Sequence, residues 1–382
     1  MIEPELHAVL ADHVFDGIAV HDNAGVIMHG THIAQVVPGL DVPRTIPRRV
    51  LPEGAWLAPG FIDLQVNGGG DVLFNDQPTS EGVCTIAAAH RKFGTTGLLP
   101  TLITDSREKV RLALQTASAV VGREPGLLGI HLEGPYLSAE KPGVHDARHI
   151  RRVAADDIAM LTAPRNGVLL VTLAPEVVPP GFITQLVAAG VRVSLGHSMA
   201  TYQESRAAMA EGLRGFTHLF NAMRPLASRE PGPIAQALES PEAWYGLIVD
   251  DQHVHPAMLR LALRGLGRPL LVTDAMPPVG GAQSSFSLHG QDIIVRGGRC
   301  VTENGMLAGT ALDMATAVKN CIRLLGMSLP DALRLASANP ATAVGLEHTL
   351  GKLLPGYRAD VVAFDPNDMQ VIGTWVAGSG DD

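Results

Sequence analysis

Apolar residues fall into two alternating patterns along the middle of the chain. Short uninterrupted runs such as Gly126-Leu127-Leu128-Gly129-Ile130, Val191-Arg192-Val193-Ser194-Leu195 and Leu270-Leu271-Val272 have the length and flanking breaks of strands buried on both faces. Strands are predicted over 96–101, 167–173, 191–196, 216–219, 245–249 and 270–273, and helices over 79–93, 107–121, 202–211 and 256–264. Repeated strand-helix units imply a parallel sheet with right-handed crossovers, and about eight of them close a barrel. The expected fold is α/β, a TIM-like (β/α)8 barrel.

The two ends read differently. Up to Trp56, and again after Gly351, apolar pieces are broken by turn formers, as in Asp22-Asn23-Ala24-Gly25 and in Asp365-Pro366-Asn367-Asp368 after the strand-like Ala359–Phe364. Chain ends often lie close together, so 1–56 plus 350–382 are expected to build one small β-sandwich domain beside a barrel over 57–349. Residues 285–302 alternate with period two around Gly290 and Gly297-Gly298, which predicts a hairpin inserted after the last barrel strand. Two helices are predicted beyond it, over 312–325 and 330–338.

Four apolar runs break into chemistry-bearing residues: Glu133 in His131-Leu132-Glu133-Gly134-Pro135-Tyr136, His197 in Gly196-His197-Ser198, His218 in Thr217-His218-Leu219, and Asp274 in Val272-Thr273-Asp274-Ala275. In such a barrel the C-terminal strand ends converge on one mouth, where these enzymes place their chemistry. One carboxylate and two imidazoles make a three-ligand metal site with an open position, and an adjacent carboxylate, Asp274, supplies a general base. Taken singly, each has a structural reading: a hydrogen-bonded histidine at a strand end, a buried ion-pair partner, a turn cap. A single site accounts for all four together.

With 382 residues, 46% of them hydrophobic, the chain is long enough for a large core. The formal charge of −9 and the lack of a long Lys/Arg cluster argue against nucleic acid or an anionic membrane as the main partner, while an anionic small ligand stays open. Three cysteines, Cys84, Cys300 and Cys321, carry no CxxC spacing and point to a reducing cytoplasm. The opening Met1-Ile2-Glu3-Pro4-Glu5 lacks a basic-then-apolar leader, and no run approaches the length of a membrane span.

The motifs Pro59-Gly60-Phe61-Ile62-Asp63, His131–Tyr136, Gly196-His197-Ser198, Thr217–Met223, Arg229-Glu230-Pro231-Gly232, Asp250–His253 and Val272–Ala275 together resemble the amidohydrolase superfamily and, within it, the N-acetylglucosamine-6-phosphate deacetylases. The resemblance implies hydrolysis of the acetamido group of a phosphorylated amino sugar, in a homodimer. It implies Glu133, His197 and His218 as ligands of one divalent metal ion, zinc in the first place with iron or another divalent ion as alternatives, and Asp274 as the catalytic acid/base. His145 matches a histidine that helps polarise the acetyl carbonyl, and Asn221 and Ala222 match contacts to the sugar. Arg229 and His253 match phosphate-binding positions, one of them supplied across a dimer interface. Val144 and Asp146, flanking His145, depart from the usual form of that loop and leave substrate breadth open. Leu307-Ala308-Gly309 reads equally as sugar-pocket wall or helix-start turn.

Many members of the superfamily carry His-x-His after the first strand, where this chain has Gln65-Val66-Asn67. Amides are poor ligands beside imidazole, and the resemblance implies a single metal, since part of that family has this same Gln-x-Asn form with one ion; Gln65 and Asn67 read equally as closing hydrogen bonds at the barrel floor. Two competing readings stand beside this one: an amidohydrolase for another N-acyl or cyclic amide, and an inactive relative serving as a binding module.

Overall fold

The computed structural model describes residues 6–380; the Met1–Glu5 segment read above lies outside them. Eight parallel strands form the centre: β1 (Phe61–Val66), β2 (Thr95–Ile103), β3 (Gly129–Glu133), β4 (Val168–Leu173), β5 (Arg192–Leu195), β6 (Gly215–Phe216), β7 (Trp244–Leu247) and β8 (Arg268–Leu271). Each pairs with the next in sequence order. The ring closes where the Asp274 N–H donates to the Gln65 carbonyl at 3.0 Å and Val66 bridges Ala275. The β/α barrel expected from the alternating runs is the fold that forms.

Its strands are buried along nearly their whole length because helices cover their outer side. Several of the helices begin where a side chain can accept their first free N–H groups. Thr79 caps Ser80–Arg91, Ser106 caps Arg107–Val120 and Asp313 caps Met314–Leu325. The cap at Asp313 is why that last helix starts two residues later than predicted.

The barrel interior is unusually rich in hydroxyl groups. His131 Nε2 pairs with Thr172 Oγ1, Thr172 Oγ1 with Thr217 Oγ1, and Thr217 Oγ1 with Ser194 Oγ, each at 2.7 Å. All four residues are buried, so the layer is held by these mutual bonds rather than by water. It forms a floor beneath the strand ends.

Both chain ends join one mixed sheet of eight strands, formed by residues 6–59 and 361–380. Its inner apolar cluster includes Val14, Met28, Leu57, Val361 and Trp375, and a smaller one forms around Ala8, Ile27 and Val42. Here the first correction arises. Asp22-Asn23-Ala24-Gly25 is not a turn but part of the strand Val20–His29; the turn comes earlier, where the Asp16 carboxylate accepts the N–H groups of Ile18 and Ala19. Pairing with Leu6–Phe15 carries the strand through, with Asn23 alone in the left-handed region at φ 48°.

A second correction concerns the insertion. The predicted hairpin is a four-stranded antiparallel sheet, Ser285–Leu288, Gln291–Arg296, Arg299–Thr302 and Leu307–Thr310. Its last strand runs back to the barrel, where Thr310 N–H donates to the Asp274 carbonyl. Leu307-Ala308-Gly309 is therefore strand, not a helix-start turn. Among the described residues no helix is long and apolar enough to cross a membrane, and all three cysteines are free.

His90, on the helix Ser80–Arg91, is fully buried and bonds the Gly68 carbonyl through Nε2 at 2.9 Å. Burial holds its pKa down to about 4, against a partial rise from that bond. The folded value lies below the unfolded one, so the stability contributed by the neutral ring is complete above pH about 6.5 and is lost as pH falls toward about 4. The loss amounts to roughly 3 kcal/mol. In denaturant melts from pH 7 to 4.5, His90→Asn should lose stability with a shallower slope than the parent chain; equal slopes would remove His90 as the cause.

Candidate metal and catalytic site

Glu133 is the last residue of β3, and His197, His218 and Asp274 follow the ends of β5, β6 and β8. The four predicted residues meet at one mouth. The backbone there turns abruptly: His197, His218 and Asp274 have φ of 49°, 32° and 53°, and Phe220 and Ala222 of 80° and 48°. Left-handed conformations cost non-glycine residues roughly 1–3 kcal/mol each and persist where surrounding structure imposes them. The turn at His218 also ends β6 at Phe216, short of the strand predicted through Leu219.

Glu133 Oε1 lies 3.0 Å from His197 Nε2 and 2.9 Å from His218 Nε2, and the two ring nitrogens are 3.1 Å apart. His197 Nδ1 sits 2.8 Å from the Lys141 carbonyl, which only accepts, so that nitrogen carries the proton. His197 Nε2 then turns a lone pair toward a carboxylate oxygen. Burial alone would raise Glu133, but the two imidazoles beside it outweigh this and hold the carboxyl well below its usual range. An ionised oxygen facing an unprotonated nitrogen is unfavourable by itself and is resolved by a cation between them. The N, N, O donor set suits zinc or another borderline divalent ion, with room for a further ligand. These three residues fit a metal.

Asp274 Oδ1 accepts from Asn67 Nδ2 at 2.6 Å and from Gln65 Nε2 at 3.1 Å, and the same Gln65 nitrogen reaches Glu133 Oε2 at 3.2 Å. The two amides that replace His-x-His thus act as donors that tie Asp274 to the ligand set. Burial, with the Glu133 charge adding to it, pushes the Asp274 carboxyl up to about 6.

His145 packs against His197, ring centroids 4.3 Å apart, with Nε2 3.9 Å from Glu133 Oε1. The Thr104 backbone N–H, which can only donate, points at His145 Nδ1 from 3.2 Å. The neutral ring therefore carries its proton on Nε2. Burial and the neighbouring His197 hold His145 well below the ordinary histidine range, so it remains neutral. Sequence reasoning found His145 but missed Thr104, which has no motif of its own and acts across 41 positions.

A cavity of about 410 Å³ opens onto this cluster. Its wall includes Glu133, Val144, His145, His197, His218, Asn221, Ala222, His253, Asp274 and Leu307, so all but one of the predicted site residues line one space. The exception is Arg229, which is exposed and does not line this cavity in its own chain. Ile103, Ile248, Met276 and Met306 also line it and were not anticipated.

Comparison with known proteins gives a consistent picture. Residues 56–379 match the model of the amidohydrolase family. An N-acetylgalactosamine-6-phosphate deacetylase of a Shewanella species is 42% identical over 87% of this chain and 84% of its own length. An N-acetylglucosamine-6-phosphate deacetylase of Haemophilus influenzae is 36% identical over 92% and 93%. The crystal structure of N-acetylglucosamine-6-phosphate deacetylase from Pasteurella multocida superimposes with a TM-score of 0.95 at 35% identity, covering 98% of this chain and 99% of that one.

Proposed function

Because the chain belongs to the amidohydrolase family, we propose that its cavity hydrolyses the acetamido group of N-acetylglucosamine-6-phosphate, releasing acetate and glucosamine-6-phosphate. The observation that carries this reading is the convergence of Glu133, His197 and His218 on one point, with Asp274 and a proton-bearing His145 Nε2 beside it. Its support in sequence is the similarity to deacetylases of 6-phosphorylated amino sugars over most of both chains.

Glu133, His197 and His218 hold one divalent ion, which we take to be zinc. When bound, it polarises the amide carbonyl and acidifies water. His145 donates its Nε2 proton as a hydrogen bond to the carbonyl oxygen, whose negative charge grows as water adds to the carbon. Asp274 accepts the proton of the attacking water and passes it to the amide nitrogen, so that the C–N bond breaks with a neutral amine leaving. Gln65 and Asn67 occupy Asp274 Oδ1, leaving Oδ2 to handle the proton. They take the place that a second metal's ligands fill elsewhere, and this accords with one ion per site.

Asn221 and Ala222 contact the sugar, and Val144 and Leu307 line its pocket. His253 faces the phosphate. Arg229, exposed on its loop, serves the phosphate in the cavity of a second copy, which makes the working unit a homodimer. Free cysteines throughout accord with a reducing cytoplasm.

The Shewanella relative supports a second reading in which the substrate is the galacto epimer. Acetate release from N-acetylglucosamine-6-phosphate, its galacto epimer and unphosphorylated N-acetylglucosamine, with and without chelator, tests both. Chelator-sensitive release favouring the gluco 6-phosphate is expected. A clear preference for the epimer replaces the first reading with the second, and no release from any of them with metal restored overturns both.

A further inference from the structure

Among the described residues, no lysine or arginine of its own chain lines the cavity proposed to take a phosphorylated sugar. Apart from the imidazoles gathered around Glu133, His253 is the one group in its wall, among the described residues, able to carry positive charge. Its Nδ1 lies 2.6 Å from Asp250 Oδ2, and both side chains are less than a tenth exposed. The other oxygen, Asp250 Oδ1, accepts the backbone N–H groups of Gln252 and His253, each at 2.9 Å. One carboxylate thus fixes both the turn and the ring.

Burial acts to raise the Asp250 carboxyl, but the bond from His253 and its charge outweigh this and hold it below the usual carboxylate range. An ionised carboxylate only accepts, so His253 Nδ1 carries a proton and Nε2 is left for the cavity. A phosphate also only accepts. An imidazole that meets both anions offers each of them an N–H. Asp274 also registers this ring, since its carboxyl feels the His253 charge.

We propose that Asp250 is a positioning residue for phosphate recognition: it aims His253 and sets its proton arrangement so that the cavity distinguishes phosphorylated from unphosphorylated sugar. The inference rests on the phosphorylated-sugar reading above. An Asp250 that merely closes the 250–253 turn would affect both sugars alike.

Steady-state kinetics on N-acetylglucosamine-6-phosphate and N-acetylglucosamine, with inorganic phosphate as competing probe, separate these cases for Asp250→Ala, Asp250→Asn, His253→Asn and the Asp250→Ala/His253→Asn double variant. Asp250→Ala should raise KM for the phosphorylated sugar and the inhibition constant of phosphate by about tenfold, with kcat changed by no more than about twofold. Asp250→Asn keeps an acceptor for the turn and should recover part of the loss. The double variant should be no worse toward phosphate than His253→Asn alone. Equal losses on both sugars, or an unchanged preference in Asp250→Ala, overturn the assignment. Parent protein that turns over both sugars with the same KM overturns instead the phosphorylated-sugar reading, and the assignment with it.

Discussion

Replacing Asp274 by Asn is expected to lower kcat by about a thousandfold, roughly 4 kcal/mol of barrier, while KM stays within a few-fold. The substitution preserves size and leaves the oxygen that accepts from Asn67 and Gln65, so the cavity keeps its shape. What is lost is the ability to take a proton from water and return it to the amine. The pH profile should report the same group. Burial and the Glu133 charge push Asp274 up to about 6, and a cation on the neighbouring donors counteracts both. Since the carboxylate is the working form, kcat/KM should fall toward acid pH with a midpoint below about 6, and residual activity of Asp274→Asn should lack that limb. Stopped-time acetate assays from pH 4.5 to 8 decide this; an Asn variant within tenfold of the parent would remove Asp274 from the chemistry.

The second large effect concerns the metal and is read from stability rather than turnover. An ion that binds the folded chain alone stabilises it by about 4 kcal/mol at a thousandfold excess over its dissociation constant. For a chain of this length that is a rise in Tm of several degrees. Protein dialysed against chelator should therefore melt lower and recover on adding one equivalent of Zn²⁺, with one ion per chain by elemental analysis. Glu133→Ala should show no such recovery. It removes the oxygen shared by both imidazoles, so the chelated variant should melt no lower than the chelated parent despite the deleted contacts. A variant that still binds and is stabilised by zinc would break the proposed ligand set. Two ions per chain would contradict the view that Gln65 and Asn67 act as donors rather than ligands.

The share of this site that was legible in sequence follows from how barrels work. Glu133, His197, His218 and Asp274 each end a short apolar run, and strand ends of a parallel barrel share one mouth whatever the loops between them. Their grouping needed only the recognition of strands. The role of His145 came from its motif, but its protonated nitrogen did not: that is decided by the Thr104 amide, brought close by the pairing of β2 with β3.

What the chain determined by itself is its periodicity, its caps and the residue types at its strand ends, because these depend on neighbours a few positions apart. Tertiary structure decided the rest. The run 22–25 looks like a turn and is strand, because Leu6–Phe15 offers it a pairing edge. Leu307 was poised between pocket wall and helix start until Arg299–Thr302 drew it into a sheet. The donors on Asp274 come from β1 and the residue that follows it, across the seam that closes the barrel, 207 and 209 positions away. Arg229 carries the right chemistry and yet stands outside its own cavity, since a side chain's charge is written in the sequence but the space it reaches is set by the fold around it.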